Sequence, residues 1–139
     1  MSKVAVVFWS GTGNTEAMAD AVADGARAAG ADVSVFGCEF KADQVSGFDG
    51  IAFGCPAMGA EVLEESEFDP MFSSVEGSLS GKKVALFGSY GWGDGQWMRD
   101  WEERVNIAGA NLVTDSVMAN NAPDDSALDE CKDLGRALA

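Results

Sequence analysis

Short apolar runs alternate with helical stretches along almost the whole chain, and this alternation constrains the fold more than any other feature. Val4–Phe8, Val33–Gly37, Gly50–Gly54, Lys83–Gly88 and Leu112–Met118 read as strands, the last less regular because Thr114, Asp115 and Ser116 interrupt it. Between them, Glu16–Ala29 reads as a helix stopped by Gly30, and residues 68–77 as a helix with Pro70 in its first turn. Gly95–Ala108 is predicted to be a helix with Asp94 as N-cap and Gly109 as its stop. A last helix carries Leu128, Cys131, Leu134 and Leu138 on roughly one face. Strands without polar alternation are buried on both sides, so the pattern predicts a parallel sheet covered by helices above and below. Right-handed crossovers then give a three-layer α/β/α sandwich. The 139 residues contain no repeat or linker and fit one domain, 1–139.

In such sheets ligands bind at the carboxyl ends of the strands. The first strand is followed there by Trp9-Ser10-Gly11-Thr12-Gly13-Asn14-Thr15, where a buried strand hands over to a helix N-terminus. Unpaired N–H groups and the helix dipole make that point an anion site, and Ser10, Thr12, Asn14 and Thr15 add donors. The loop holds no Lys or Arg. It therefore lacks the Lys of a nucleoside-triphosphate loop, and Glu16 stands where the dinucleotide fingerprint needs its third glycine. Alone, the segment reads equally as a neutral phosphate cradle or as a well-capped turn.

Two other unusual loops emerge on the same side. One is Cys55-Pro56-Ala57-Met58-Gly59-Ala60-Glu61, and the other Ser89-Tyr90-Gly91-Trp92-Gly93-Asp94-Gly95. Met58 and Trp92 offer apolar surfaces for a flat ring, and Glu61 can accept an N–H from it. Taken singly, Met58 as core filler, Trp92 as a loop anchor and the glycines as turn formers explain these residues. Together with the cradle they point to a planar phosphorylated ligand. Met58 to Glu61 reads as a four-residue turn with Gly59 and Ala60 at its centre; Ala60 disfavours type II, Gly59 suits the positive φ of type II′, and type I stays open.

Composition narrows the function. The net charge of −14 argues against nucleic acid and anionic membrane, and favours steering toward basic partners. No apolar stretch approaches membrane-spanning length and no targeting peptide is visible, so a soluble, cytoplasmic monomer is expected. Cys38, Cys55 and Cys131 are widely spaced and read as small buried hydrophobes, without metal-site spacing. With no His, acid–base catalysis near neutrality would need a perturbed carboxylate, thiol or Lys. A phospho-acceptor signalling domain would need an Asp where the third strand ends in Gly54-Cys55-Pro56.

With Trp9-Ser-Gly-Thr-Gly-Asn-Thr15, Cys55-Pro-Ala-Met-Gly59 and Gly88-Ser-Tyr-Gly-Trp-Gly93 in that order, followed by Trp97 and Met98, the chain resembles the short-chain flavodoxins of anaerobic bacteria over essentially its whole length. The resemblance, rather than the pattern, implies a five-stranded sheet of order 2-1-3-4-5. It implies one non-covalent FMN. Ser10, Gly11, Thr12, Gly13, Asn14 and Thr15 would hold its phosphate, with Pro56 and Ala57 beside the phosphate and ribityl chain. Met58 and Trp92 would cover the two ring faces, Gly59 would lie next to N5, and Glu61 would accept from N3–H. Ser89, Tyr90 and Gly91 would meet the chain and the pyrimidine carbonyls, and Asn121 would close the ribityl side. Ala60 departs from relatives with a polar residue there. The function implied is a low-potential one-electron carrier passing among quinone, neutral semiquinone and hydroquinone states, serving oxidoreductases with basic docking faces. An FMN enzyme such as a quinone reductase would need open space where Trp92 is expected.

Overall fold

A computed structural model describes residues 2–59, 62–91 and 93–139. The strands β1 (Lys3–Phe8), β2 (Asp32–Phe36), β3 (Gly50–Gly54) and β4 (Lys83–Tyr90) pair in parallel in the order β2-β1-β3-β4. The fifth position is shared. Instead of one strand over 112–118, the chain forms β5 (Asn111–Leu112) and β6 (Val117–Asn120), both parallel to β4 at different heights. Polar residues divide them, and the Ser116 hydroxyl turns out of the sheet line to donate to Glu102 Oε2 at 2.7 Å. The order 2-1-3-4-5 therefore holds, with a sixth strand added at the edge.

Among the described residues four helices flank the sheet: α1 (Asn14–Ala28), α2 (Phe68–Glu76), α3 (Gln96–Ile107) and α4 (Asp125–Leu138). Alternation along each strand sorts side chains to the two faces. Val4, Val6, Ala52, Ala85 and Phe87 pack with α1 and α4, whereas Ala5, Val7, Phe53 and Leu86 pack with α2 and α3. The second layer is rich in rings: Phe72 meets Phe53 and Trp101 edge-on at 5.1 and 5.8 Å between centroids. This is why the strands carry no polar side. Cys131, Leu134 and Leu138 are buried from α4, as its spacing predicts.

Helix ends follow local chemistry. Gly30 and Gly109, at φ 93° and 83°, take the left-handed turn that closes α1 and α3. After them, Ala31 and Ala110 donate back to Ala26 and Val105. Asp94 is not the N-cap of α3. Gly95, at φ 92°, holds that position, and Asp94 instead binds Arg99 through Oδ1 at 3.1 Å. Asp124 caps α4, accepting from the Ala127 N–H at 2.8 Å. A 3-10 turn at Ala42–Gly47, where the sequence suggests only a polar connection, buries Val45 against the ring-rich layer.

Candidate functional site

The expected loops meet at the carboxyl edge of the sheet. They enclose a cleft of about 240 Å³ lined by Trp9, Gly11, Thr12, Asn14, Pro56, Ala57, Met58, Ser89, Tyr90, Gly91 and Asn121. None of these side chains carries a charge. Thr12 and Asn14 of the first loop give it polar lining, and Ala57, Met58 and Tyr90 give it apolar lining.

The first loop is shaped by Ser10, whose Oγ accepts from the Gly13 and Glu16 amides at 3.1 and 3.3 Å. Gly13, at φ 93°, stands at the N-cap of α1, and a Cβ there would meet nothing within 4 Å. Its requirement is thus conformational and not steric. The amides of Thr12, Asn14 and Thr15 have no hydrogen-bond acceptor among the described residues. Those of Asn14 and Thr15 are the orphan donors of the helix start. The Thr15 side chain is 1% exposed and shares a 3.2 Å hydrogen bond with the Ser89 hydroxyl, tying this loop to the end of β4. Ser10, Gly13 and Thr15 thus support the cleft from behind, while Gly11, Thr12 and Asn14 face it.

Two glycines let the second and third loops close on each other. A Cβ on Gly88 would stand 2.2 Å from the Cys55 carbonyl oxygen, and one on Gly54 would stand 2.2 Å from the Phe87 ring. Ala57 donates to the Ser89 carbonyl at 3.0 Å, and Asn121 to the Tyr90 carbonyl at 2.7 Å. Asn121 takes a left-handed φ of 59°, which its short polar side chain tolerates. Behind the wall, Trp97 donates from Nε1 to the Cys55 carbonyl at 3.2 Å and holds its ring 5.5 Å from that of Tyr90, tilted by 45°.

Met58 and Val62 exchange backbone hydrogen bonds at 2.8 and 3.1 Å. The hairpin therefore closes at Met58–Val62, one residue beyond the four-residue turn expected from the sequence. Gly59 has the anticipated positive φ, 49°, and Met58 is 37% exposed at the rim. Ala60, Glu61 and Trp92 lie outside the described residues.

Trp9 and Trp97 enter the sequence reading only as motif residues without a role at the site, and Glu64 does not enter it. Trp9 lines the cleft and covers Gly11, whose Cβ would approach its ring to 3.0 Å; its place inside the motif was the available signal. Trp97 is a scaffold for Cys55. Glu64 caps α2 from the loop, through amides of Glu67 and Phe68 at 2.8 Å each. Burial opposes its charge, but the Ser66 hydroxyl and the amides of Phe68, Ser66 and Glu67 overcome that and hold its carboxyl down at about 2. Burial pushes the Cys38 and Cys131 thiols up to about 11 and 12, and the Cys55 thiol up further, so all three stay protonated. Among the described residues no cluster of His, Cys, Asp or Glu is placed to hold a metal, and no helix is long and apolar enough to cross a membrane.

A family model described as flavodoxin matches residues 6–135. The sequence is 48% identical over 135 residues to a flavodoxin of Clostridium beijerinckii, covering 96% of this chain and 97% of that one. It is 49% identical over 137 residues to a flavodoxin of Megasphaera elsdenii, with 98% of each chain covered. The solution structure of two-electron reduced Megasphaera elsdenii flavodoxin superposes with a TM-score of 0.90 at 48% identity, covering 97% of both chains.

Proposed function

This chain belongs to the flavodoxin family, and from that premise we propose that its cleft binds FMN with the phosphate on the first loop and the ring between the second and third. As a flavodoxin it is an FMN-binding electron carrier and not an enzyme with a substrate of its own. The observation that carries the placement is the pair of amides at Thr12 and Asn14, which have no acceptor among the described residues and belong to residues lining the same cleft as Met58 and Tyr90. The donor set suits a phosphate, and the apolar lining suits a flat ring. Bound FMN supplies reversible transfer of one electron at a time.

The protein's part is to fix the surroundings of that group. In this reading the amides and hydroxyls of residues 10–15 take the phosphate, and Pro56 and Ala57 keep water from the ribityl side. Met58 covers one ring face, Gly59 presents its peptide at the ring edge, Ser89, Tyr90 and Gly91 meet the chain and the pyrimidine carbonyls, and Asn121 closes the ribityl side. Glu61 and Trp92 complete the set in the family pattern, at N3–H and the second ring face. Among the described residues no cation lines the cleft, so only neutral dipoles meet added negative charge there. At an effective dielectric near 20, each carboxylate about 10 Å away disfavours an added electron by roughly 1.7 kcal/mol. That makes the carrier low-potential. The reading further takes residues 1–139 as one FMN-binding domain, working as a cytoplasmic monomer.

Reductive titration of the FMN-loaded protein with recorded spectra tests the proposal. Two resolved one-electron steps are expected, the second at the lower potential. Protein that ignores FMN, or that takes both electrons in one unresolved step, would sink it.

The −14 charge extends the reading to partners, which should be oxidoreductases with basic docking faces. Electron transfer to such a partner is expected to slow by roughly tenfold or more between low and physiological ionic strength, as screening removes the steering. Stopped-flow rates measured across that range decide it, and a flat profile would leave the acidity to solubility alone.

A further inference from the structure

Glu64 stands in a run of carboxylates whose neighbours Glu65 and Glu67 face water, yet it is only 6% exposed. All its polar groups are engaged. Its N–H donates to Cys55 Sγ at 3.4 Å, and its carbonyl accepts from Asp69 at 2.8 Å. Its Oε1 accepts from the Glu67 and Phe68 amides, and its Oε2 from the Ser66 amide at 2.9 Å and the Ser66 hydroxyl. Cys55, the residue after β3, is held in turn by Trp97 and sits directly before the cleft wall. One residue thus fastens the start of α2 to the end of β3. The segment between, 56–63, is the one that carries Pro56, Ala57 and Met58 to the cleft.

Closing a helix end does not require this arrangement. Asp124 caps α4 with one hydrogen bond from an exposed position. Burying a carboxylate is unfavourable unless its acceptors are filled, as they are here, and a group so held is geometrically fixed. Among the described residues the Met58–Val62 hairpin is closed by two mutual backbone bonds and has an exposed rim, and a short hairpin is marginal by itself. Its order must come from where its ends are tied.

We propose, resting on the FMN reading above, that Glu64 is a positioning residue for the cofactor: with Cys55 it ties down both ends of the 56–63 loop, so that the Met58–Val62 hairpin is formed before FMN arrives. Preorganisation of this kind raises affinity by removing an ordering step from binding.

The test uses E64Q, which keeps the side-chain shape and loses the charge, and C55A, which removes the sulfur acceptor and leaves the α2 cap intact. Leu138→Ala, a core truncation at the opposite end of the sheet against Gly50, serves as the control for general destabilisation. Amide exchange of Met58 and Val62 is followed in the FMN-free proteins, and FMN affinity is titrated for each. In E64Q the two amides should exchange roughly tenfold faster than in the control at matched global stability, with FMN binding weakened by about the same factor. C55A should move both readouts in the same direction, and it carries the test by itself if E64Q does not fold. Exchange and affinity indistinguishable from the control would overturn the proposal and leave Glu64 a helix cap only. Wild-type protein that fails to bind FMN would instead strike the functional reading, while the exchange arm still decides whether the clamp exists.

Discussion

Replacing Gly135 by alanine is expected to destabilise the FMN-free protein by about 2–4 kcal/mol, although alanine is the better helix former. At this point α1 and α4 touch backbone to backbone. A Cβ on Gly135 would lie 2.0 Å from the Val22 carbonyl oxygen and 2.9 Å from the Ala26 nitrogen. A Cβ on Gly25 would lie 2.0 Å from the Lys132 carbonyl oxygen, so the contact is reciprocal. The obstructing atoms belong to helix backbone and cannot rotate away, so relief requires the two helices to separate. Separation loosens Met18, Val22, Cys131 and Leu134, which share one buried cluster with β1. Against a typical total of about 5–15 kcal/mol, that loss is large. Gly25→Ala should behave alike, and the double variant should fall short of the sum because one displacement relieves both clashes. Gly77→Ala is the contrast: its φ of −68° suits any residue and its Cβ would meet nothing within 4 Å, so stability should hold or rise by roughly 0.5 kcal/mol. Urea unfolding of the four variants measures this. A Gly135→Ala protein as stable as wild type would show that the helices are not in backbone contact.

Neither glycine stands out in the sequence. Gly25 lies inside a run of alanines in α1, and Gly135 inside an otherwise ordinary amphipathic helix. Their role depends on which helix faces which, and that is settled by strand order rather than by local pattern. The strands themselves were legible because a doubly covered sheet removes polar residues from both faces. Gly50–Gly54 matches the reading residue for residue, whereas the edge position did not, since half-buried Thr114 and exposed Asp115 are free to be polar. The same division holds at the site. Glycines, hydroxyls and rings that line the cleft sit in contiguous motifs and were visible as such. Glu64 was not, because one buried carboxylate among exposed ones has no compositional mark, and its partners Cys55 and Phe68 lie nine residues before it and four after it. Asp94 was misread for a related reason: a good capping side chain next to a glycine identifies the end of the helix but not which of the two residues leaves it.

FMN is expected to bind roughly 10²–10⁴-fold more tightly than riboflavin, which lacks only the phosphate. The amides of Thr12, Asn14 and Thr15 have no hydrogen-bond acceptor among the described residues, so the phosphate supplies bonds that riboflavin leaves to water. Charge-assisted hydrogen bonds are worth roughly 1.5–3 kcal/mol each, and two of them net of hydration give about 3–6 kcal/mol. The exposure of Gly11, Thr12 and Gly13 allows the empty loop to hydrate, which is why the full sum is not expected. The protein's field works against the same phosphate, since −14 repels a dianion and the loop contains no cation to compensate. Salt screens that repulsion, so FMN affinity should rise with ionic strength while riboflavin affinity stays nearly constant. The opposite signs expected for the cofactor and for a basic partner separate local recognition from long-range steering. Gly13→Ala isolates the loop's shape: its Cβ meets nothing, so the only penalty is about 1–2 kcal/mol for holding an L-residue at positive φ. Titration of the FMN-free protein with both flavins, at low and high salt, should show that this variant loses FMN affinity and keeps most of its riboflavin affinity. Equal affinities for the two flavins in wild type would remove the phosphate from the first loop, and with it the orientation proposed for the cofactor.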